Sequence, residues 1–178
     1  MTAVATSYSP TVRPDADTPW GQSQSLSFRS HGQPPVEQLL VVYSDEYGDG
    51  KRLVLRLASM QLDRLINLPD GWDGGRAKPV LPTTAILAMQ VLSQVADDLT
   101  PAPHVFPLPD GGVQLEWLIN GNGLEIEISP NGELSALGID AGGVDRIDHE
   151  VGAGAAMSTL QIAKSYLHAI SKTLHTAW

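Results

Sequence analysis

Alternation of apolar and polar positions through the middle of the chain is its clearest signal. In "VQLEWLI", Val113, Leu115, Trp117 and Ile119 take one parity and Gln114, Glu116 and Leu118 the other; in "LEIEI", Leu124, Ile126 and Ile128 alternate with Glu125 and Glu127. A period of two puts successive side chains on opposite faces of a strand. With "HVFPL" before, "ELSALGID" after, and "PDGG", "GNG" and "PNG" between the runs, residues 104–140 predict an antiparallel meander with glycine-containing turns. One face is then apolar and the other largely acidic, the pattern of a sheet covered on one side.

The expected cover is helical. Leu160, Ala163, Leu167, Ile170 and Leu174 recur at alternating spacings of 3 and 4, which predicts an amphipathic helix near 156–175. Ala88, Leu92, Val95 and Leu99 repeat in the same way behind Pro82, Thr83 and Thr84, predicting a helix over 83–99 that "TPAP" stops. Between the meander and the last helix, "GIDAGGVDRIDHEVGAG" reads as a glycine-rich acidic connection.

Upstream, two readings compete. The run 39–43 is β-favouring, Leu53, Leu55 and Leu57 alternate with Arg52, Val54 and Arg56, and "YGDGK" between them supplies turn chemistry, so a hairpin is preferred. Val36, Leu39, Leu40 and Tyr43 also satisfy helical spacing, and a short apolar run does not decide between the two. From Ala58 the spacing of Leu62, Leu65 and Ile66 predicts a short helix, ended by the corner "LPDGWDGGRAKPVLP". Residues 1–35 are rich in Ser, Thr, Pro, Gln and Gly and read as a disordered N-terminal tail, in which Trp20 is a candidate docking residue. The expected fold is α+β: a meander of three to six strands with two or three helices packed on one face, forming a single domain over 36–178.

The corner puts a large apolar side chain where the backbone is loosest. Gly71 and Gly74 can adopt positive φ, and Asp73 can accept hydrogen bonds from nearby amides in an Asx-type turn. Trp72 is then expected to fold back onto the core as an anchor, its burial contributing several kcal/mol at about 25 cal/mol per Å². The functional alternative is a partner surface built on Trp72 and Asp73.

Composition narrows the function classes. Eleven basic against twenty acidic residues give a formal net charge of −9, which repels phosphate backbones and disfavours nucleic-acid binding. A charged fraction of 17% with scattered carboxylates does not suit a nucleic-acid mimic either. The absence of cysteine removes disulfides, thiolate nucleophiles and cysteine-bound metals. No basic and apolar leader and no bilayer-length apolar run is present, so a cytoplasmic location away from membranes is expected.

Catalytic motifs are missing. There is no G-x-S-x-G, P-loop, dinucleotide fingerprint or H-E-x-x-H, and "DGGV" and "GNGL" read as turn glycines. Asp140, Asp145, Asp148, His149 and Glu150 do not follow a calcium-loop pattern, and His168 and His175 read as rim residues of the last helix. No cofactor or metal is implied.

"NLPDGWDGGRAKP" and "HVFPLPDGGVQLEW" followed by "LEIEI" resemble a family of small bacterial proteins. In that family a Trp-Asp-Gly corner precedes a helix, and an Asp-Gly-Gly turn opens a strand ending in Leu-Glu-Trp. The matching residues are Trp72, Asp73, Gly74, Ala77 and Pro79, then Pro109, Asp110, Gly111, Gly112, Leu115, Glu116 and Trp117, within residues 62–128. Arg76 stands where the pattern has glycine before the alanine. The resemblance implies the fold and an accessory role in bacterial gene neighbourhoods, including defence-related ones; it implies no activity.

With Trp117 in the core, Glu116 belongs to the open face together with Gln114, Glu125 and Glu127. Like charges there cost stability unless a cation or a basic partner relieves them, so the cluster reads as a site for a basic protein or a metal, or simply as a solvated sheet face. The functional expectation is therefore a non-enzymatic cytoplasmic accessory protein, antitoxin-like or defence-associated. It would bind a protein partner through Gln114, Glu116, Glu125 and Glu127, or through the corner at Trp72 and Asp73. One alternative is a small hydrolase or metal-dependent enzyme using Asp73, Glu116, Asp148 or His149. Another is a component of a larger assembly, with Trp20 as its docking strap.

Overall fold

A computed structural model describes residues 47–151 and 156–176. The order of elements is α1 (Asp49–Ile66), α2 (Pro82–Val95), β1 (His104–Pro107), β2 (Val113–Ile119), β3 (Asn122–Ile128), β4 (Leu134–Ile139), β5 (Asp145–Val151) and α3 (Ala156–His175). The five strands form one antiparallel sheet in the order β1-β2-β3-β4-β5, a meander in which each strand pairs with the next in sequence. The fold is α+β, with the three helices on one side of the sheet.

The alternation in the sequence decides that side. Val113, Leu115, Trp117, Ile119, Leu124, Ile126 and Ile128 are all buried, and they share one core with Leu55, Leu62, Met89, Leu92, Leu160 and Leu167 of the helices. Trp117 is 2% exposed and its indole N–H donates to Pro101 O (2.9 Å), so the single polar atom of the largest core side chain is satisfied. The last helix buries Leu160, Ala163, Leu167 and Ile170 as its spacing predicts, while Leu174 in its last turn is exposed.

Three expectations are corrected. The hairpin is the first: the residues of its second arm are helical, because Val54, Leu55, Ala58 and Leu62 make a buried stripe at helical spacing, while Leu53 and Leu57 are 55% and 40% exposed. Its first arm, at 39–43, lies outside the described residues, as do Trp20 and the tail reading.

The glycines of "YGDGK" have another purpose than a turn. Gly48, the N-cap of α1, offers no side chain, and the Asp98 carboxylate takes over by accepting the Lys51 amide (3.0 Å) across 47 residues of sequence. A Cβ on Gly48 would collide with that carboxylate, and one on Gly50 with the Asp98 backbone. The approach of the Asp98 backbone requires glycine at 50, and a side chain at 48 would displace the capping carboxylate.

The second correction concerns the end of α2, which stops at Val95 rather than running to Leu99, and well before the prolines. Asp97 opens a local turn there: its carboxylate accepts the Leu99 amide (2.9 Å) and the Thr100 hydroxyl (3.0 Å), and its own amide donates to Thr100 Oγ1 (3.0 Å). Short polar side chains that bond nearby backbone compete with the helix in this way. Leu99 is left at the surface.

Third, part of the supposed glycine-rich connection is β5, which pairs along β4. Its register shifts at Gly138 and Ile139, where a Cβ on Gly138 would stand 3.0 Å from Ile147 Cγ1. The turn into β5 is held by Asp140, whose carboxylate accepts the Gly142 and Val144 amides and pairs with Arg146.

Candidate functional site

No described helix lies over the other face of the sheet, and its side chains can be read in rows from the strand register. One row runs His104, Glu116, Glu125, Leu137; the next runs Phe106, Gln114, Glu127, Ser135. Pairing carries the two rows on to the positions of Asp148 and Glu150 in β5. Gln114, Glu116, Glu125 and Glu127 are therefore brought together on one surface, as neighbours across β2 and β3.

Glu116 and Glu125 are directly opposite. Cβ atoms of such cross-strand pairs stand about 5 Å apart, close enough for two carboxylates to repel each other. The Glu125 carboxyl is held above its usual pKa, first by partial burial and then by the negative charges of Glu116 and Glu127. Apolar side chains border this acidic patch: Phe106 is 44% exposed and stacks loosely on His104, and Leu118 is 72% exposed. Leu137 is half-buried between Glu125 and the Asp148 position.

The corner is a different kind of place. Asp73 Oδ1 accepts the amides of Gly75 (2.8 Å) and Ala77 (3.2 Å), and these bonds lower its pKa. Gly71 and Gly74 adopt φ of 72° and 81°. Trp72, expected in the core, is only half-buried and lies outside the core cluster; its indole N–H donates to Lys78 O (2.9 Å) and clasps the loop on itself. It anchors the corner by a hydrogen bond more than by full burial.

The corner also joins the second motif. Lys78 N–H donates to Pro109 O (2.9 Å) and Leu81 N–H to Gly111 O (3.0 Å), so the Trp-Asp-Gly segment and the Asp-Gly-Gly turn form one clasp. Gly111 sits at φ 95°, where a side chain would be strained and a Cβ would press on Leu81 and Pro79 O at 3.1 and 3.2 Å. Residues far apart in the sequence pattern are thus neighbours for structural reasons. Asp73 and Trp72 are engaged in this clasp rather than directed at the acidic patch.

The positions of the residues proposed for hydrolysis lie on separate elements. Asp73 lies in the loop between α1 and α2, Glu116 in β2, and Asp148 in β5 three strands away, roughly 14 Å at the usual strand spacing. Carboxylate pairs in glycoside hydrolysis stand about 5 to 9.5 Å apart. His149 occupies the adjacent position of β5, paired with Ala136. Among the described residues no three His, Asp or Glu side chains are grouped as metal ligands would be. A shallow groove of about 480 Å³ lies between β5 and α3, lined by Ile147, Ile162, Tyr166, Gln161, Ser165 and Arg146, and contains none of the expected site residues.

Two polar links near the start of α1 have no periodic signal in the sequence. His168 Nδ1 lies 2.5 Å from Asp97 Oδ2, tying α3 to the loop after α2. An ionised carboxylate only accepts, so the proton is on Nδ1. Partial burial pushes the Asp97 pKa up, but hydrogen bonds from His168, the Leu99 amide and Thr100 outweigh it and the net shift is downward. The second link is the Asp98 cap on α1.

Compared with family models, curated proteins and solved structures, the chain matches none. No helix among the described residues is long and apolar enough to cross a membrane.

Proposed function

We propose that the protein is a non-enzymatic cytoplasmic accessory subunit, antitoxin-like or defence-associated, that binds a basic protein partner on the open face of its sheet. One observation carries this reading: Glu116 and Glu125 face each other across β2 and β3, with Glu127 beside them and exposed Phe106 and Leu118 at the margins. Repulsion within this group is a standing cost in the isolated chain, and a bound cationic surface relieves it. The apolar margin suits a partner that presents Lys or Arg beside aliphatic side chains. Antitoxin-like and defence-associated roles are suggested by the sequence resemblance, not by the geometry of the face.

The test is direct binding of a fluorescent amphipathic peptide rich in Lys and Leu, read by anisotropy. The expected result is saturable binding that weakens as salt rises and falls by about tenfold or more in Glu116→Lys/Glu125→Lys. Equal binding by the wild type and the double variant, with both folded by circular dichroism, would remove the sheet face as the site.

A further inference from the structure

The outer face of α1 is the complement of the open sheet face. Leu53, Leu57 and Met60 are 55%, 40% and 49% exposed and fall at i, i+4 and i+7, a continuous apolar stripe on the solvent side. Arg56 and Arg64 flank it and are exposed, and Arg52, paired with Asp49, continues the same side. With Lys51, α1 holds four of the eleven basic residues of an acidic chain against two acidic ones, Asp49 and Asp63, so its charge is net positive. Isolated exposed apolar residues need no explanation, but three in register beside arginines match the spacing of helix faces that pack on a partner surface.

We infer that α1 of one copy docks on the open sheet face of a second copy, with Arg56 and Arg64 against Glu116 and Glu125, and Leu53, Leu57 and Met60 against Phe106 and Leu118. This rests on the reading of the sheet face as a binding surface and names its partner. Arg56 and Arg64 are about 12 Å apart along the helix and Glu116 and Glu125 about 5 Å apart across the strands, so the two long guanidinium side chains have to converge on the carboxylate pair from either side. The two surfaces differ, so the contact is heterologous: each copy offers both halves, and association continues to a ring or a filament. The net charge of −9 opposes it over long range, but salt near physiological strength screens that term to within about 8 Å, leaving the local complementarity.

Sedimentation velocity of the full chain over about 1 to 300 µM tests the inference. The wild type is expected to self-associate, whereas Arg56→Glu/Arg64→Glu and Glu116→Arg/Glu125→Arg should each stay monomeric while folded. An equimolar mixture of the two variants should associate again, because each then offers what the other lacks; so should the chain carrying all four substitutions. A wild type that stays monomeric overturns the inference, whether residues 1–46 or another protein cover α1, and so does association unaffected by either reversal. Retained binding of the basic peptide by a monomeric wild type would leave the sheet-face reading standing while the self-pairing falls. Loss of both would end the two together.

Discussion

Two tryptophans with the same hydrogen-bonding chemistry have different tasks. Trp117 is closed into the core, and truncation to alanine removes its packing and orphans the Pro101 carbonyl; the expected cost is about 3 to 5 kcal/mol. Trp72 is half-buried and holds a loop to itself, so Trp72→Ala should cost markedly less, on the order of 1 kcal/mol. Urea denaturation of both variants checks the contrast, and similar losses would contradict it. Glu125 makes a prediction of opposite sign. Its folded pKa is raised, so it opposes folding once ionised, and that penalty disappears as pH falls through its folded value toward the ordinary range. Glu125→Gln should therefore stabilise the fold at pH 7 by about 0.2 to 1 kcal/mol, with the gain vanishing below about pH 4. Asp73, Asp97 and Asp140 behave in the reverse sense: their pKa values are lowered, and the stability they contribute above the ordinary carboxyl range is lost on acidification.

At the scale of elements, the sequence was legible where a period was long and unambiguous. The strands from His104 to Ile139 and the last helix follow from alternation and from 3,4 spacing, and the turn glycines follow from turn chemistry. For residues 52–57 the period is ambiguous because Leu53, Leu55 and Leu57 fit a strand as well as a helix, and what decides for the helix is the tertiary stripe of Val54, Leu55, Ala58 and Leu62. Nothing local announces that Asp98 will cap α1 from 47 residues away, so the glycines in "YGDGK" looked like a turn. Asp98→Ala should destabilise the fold by about 1 kcal/mol and increase amide exchange in the first turn of α1, whereas Asp98→Asn, which keeps an acceptor, should retain most of the stability. Unchanged exchange in Asp98→Ala would remove the cap. β5 was missed because Ile147 and Val151 are few apolar residues among charges; an edge strand needs only one buried neighbour row and can be polar elsewhere. The four open-face residues were legible from parity alone, but their row order across strands required the register.

Among the described residues, the helices, the core and the clasp between the corner and the Asp-Gly-Gly turn leave the outer face of the sheet uncovered, and it is acidic with an apolar margin. The basic stripe of α1 lies within the other layer and is its counterpart in sign. A protein organised this way is expected to act by contact, with affinities that fall as salt rises. Amide chemical-shift mapping during titration with the basic peptide tests this most directly. The account predicts that the shifts concentrate at Gln114, Glu116, Glu125, Glu127 and their partners in β1 and β4, and that Trp72, Asp73 and the groove beside α3 stay unmoved. Shifts confined to the corner or the groove, with the open face silent, would contradict it.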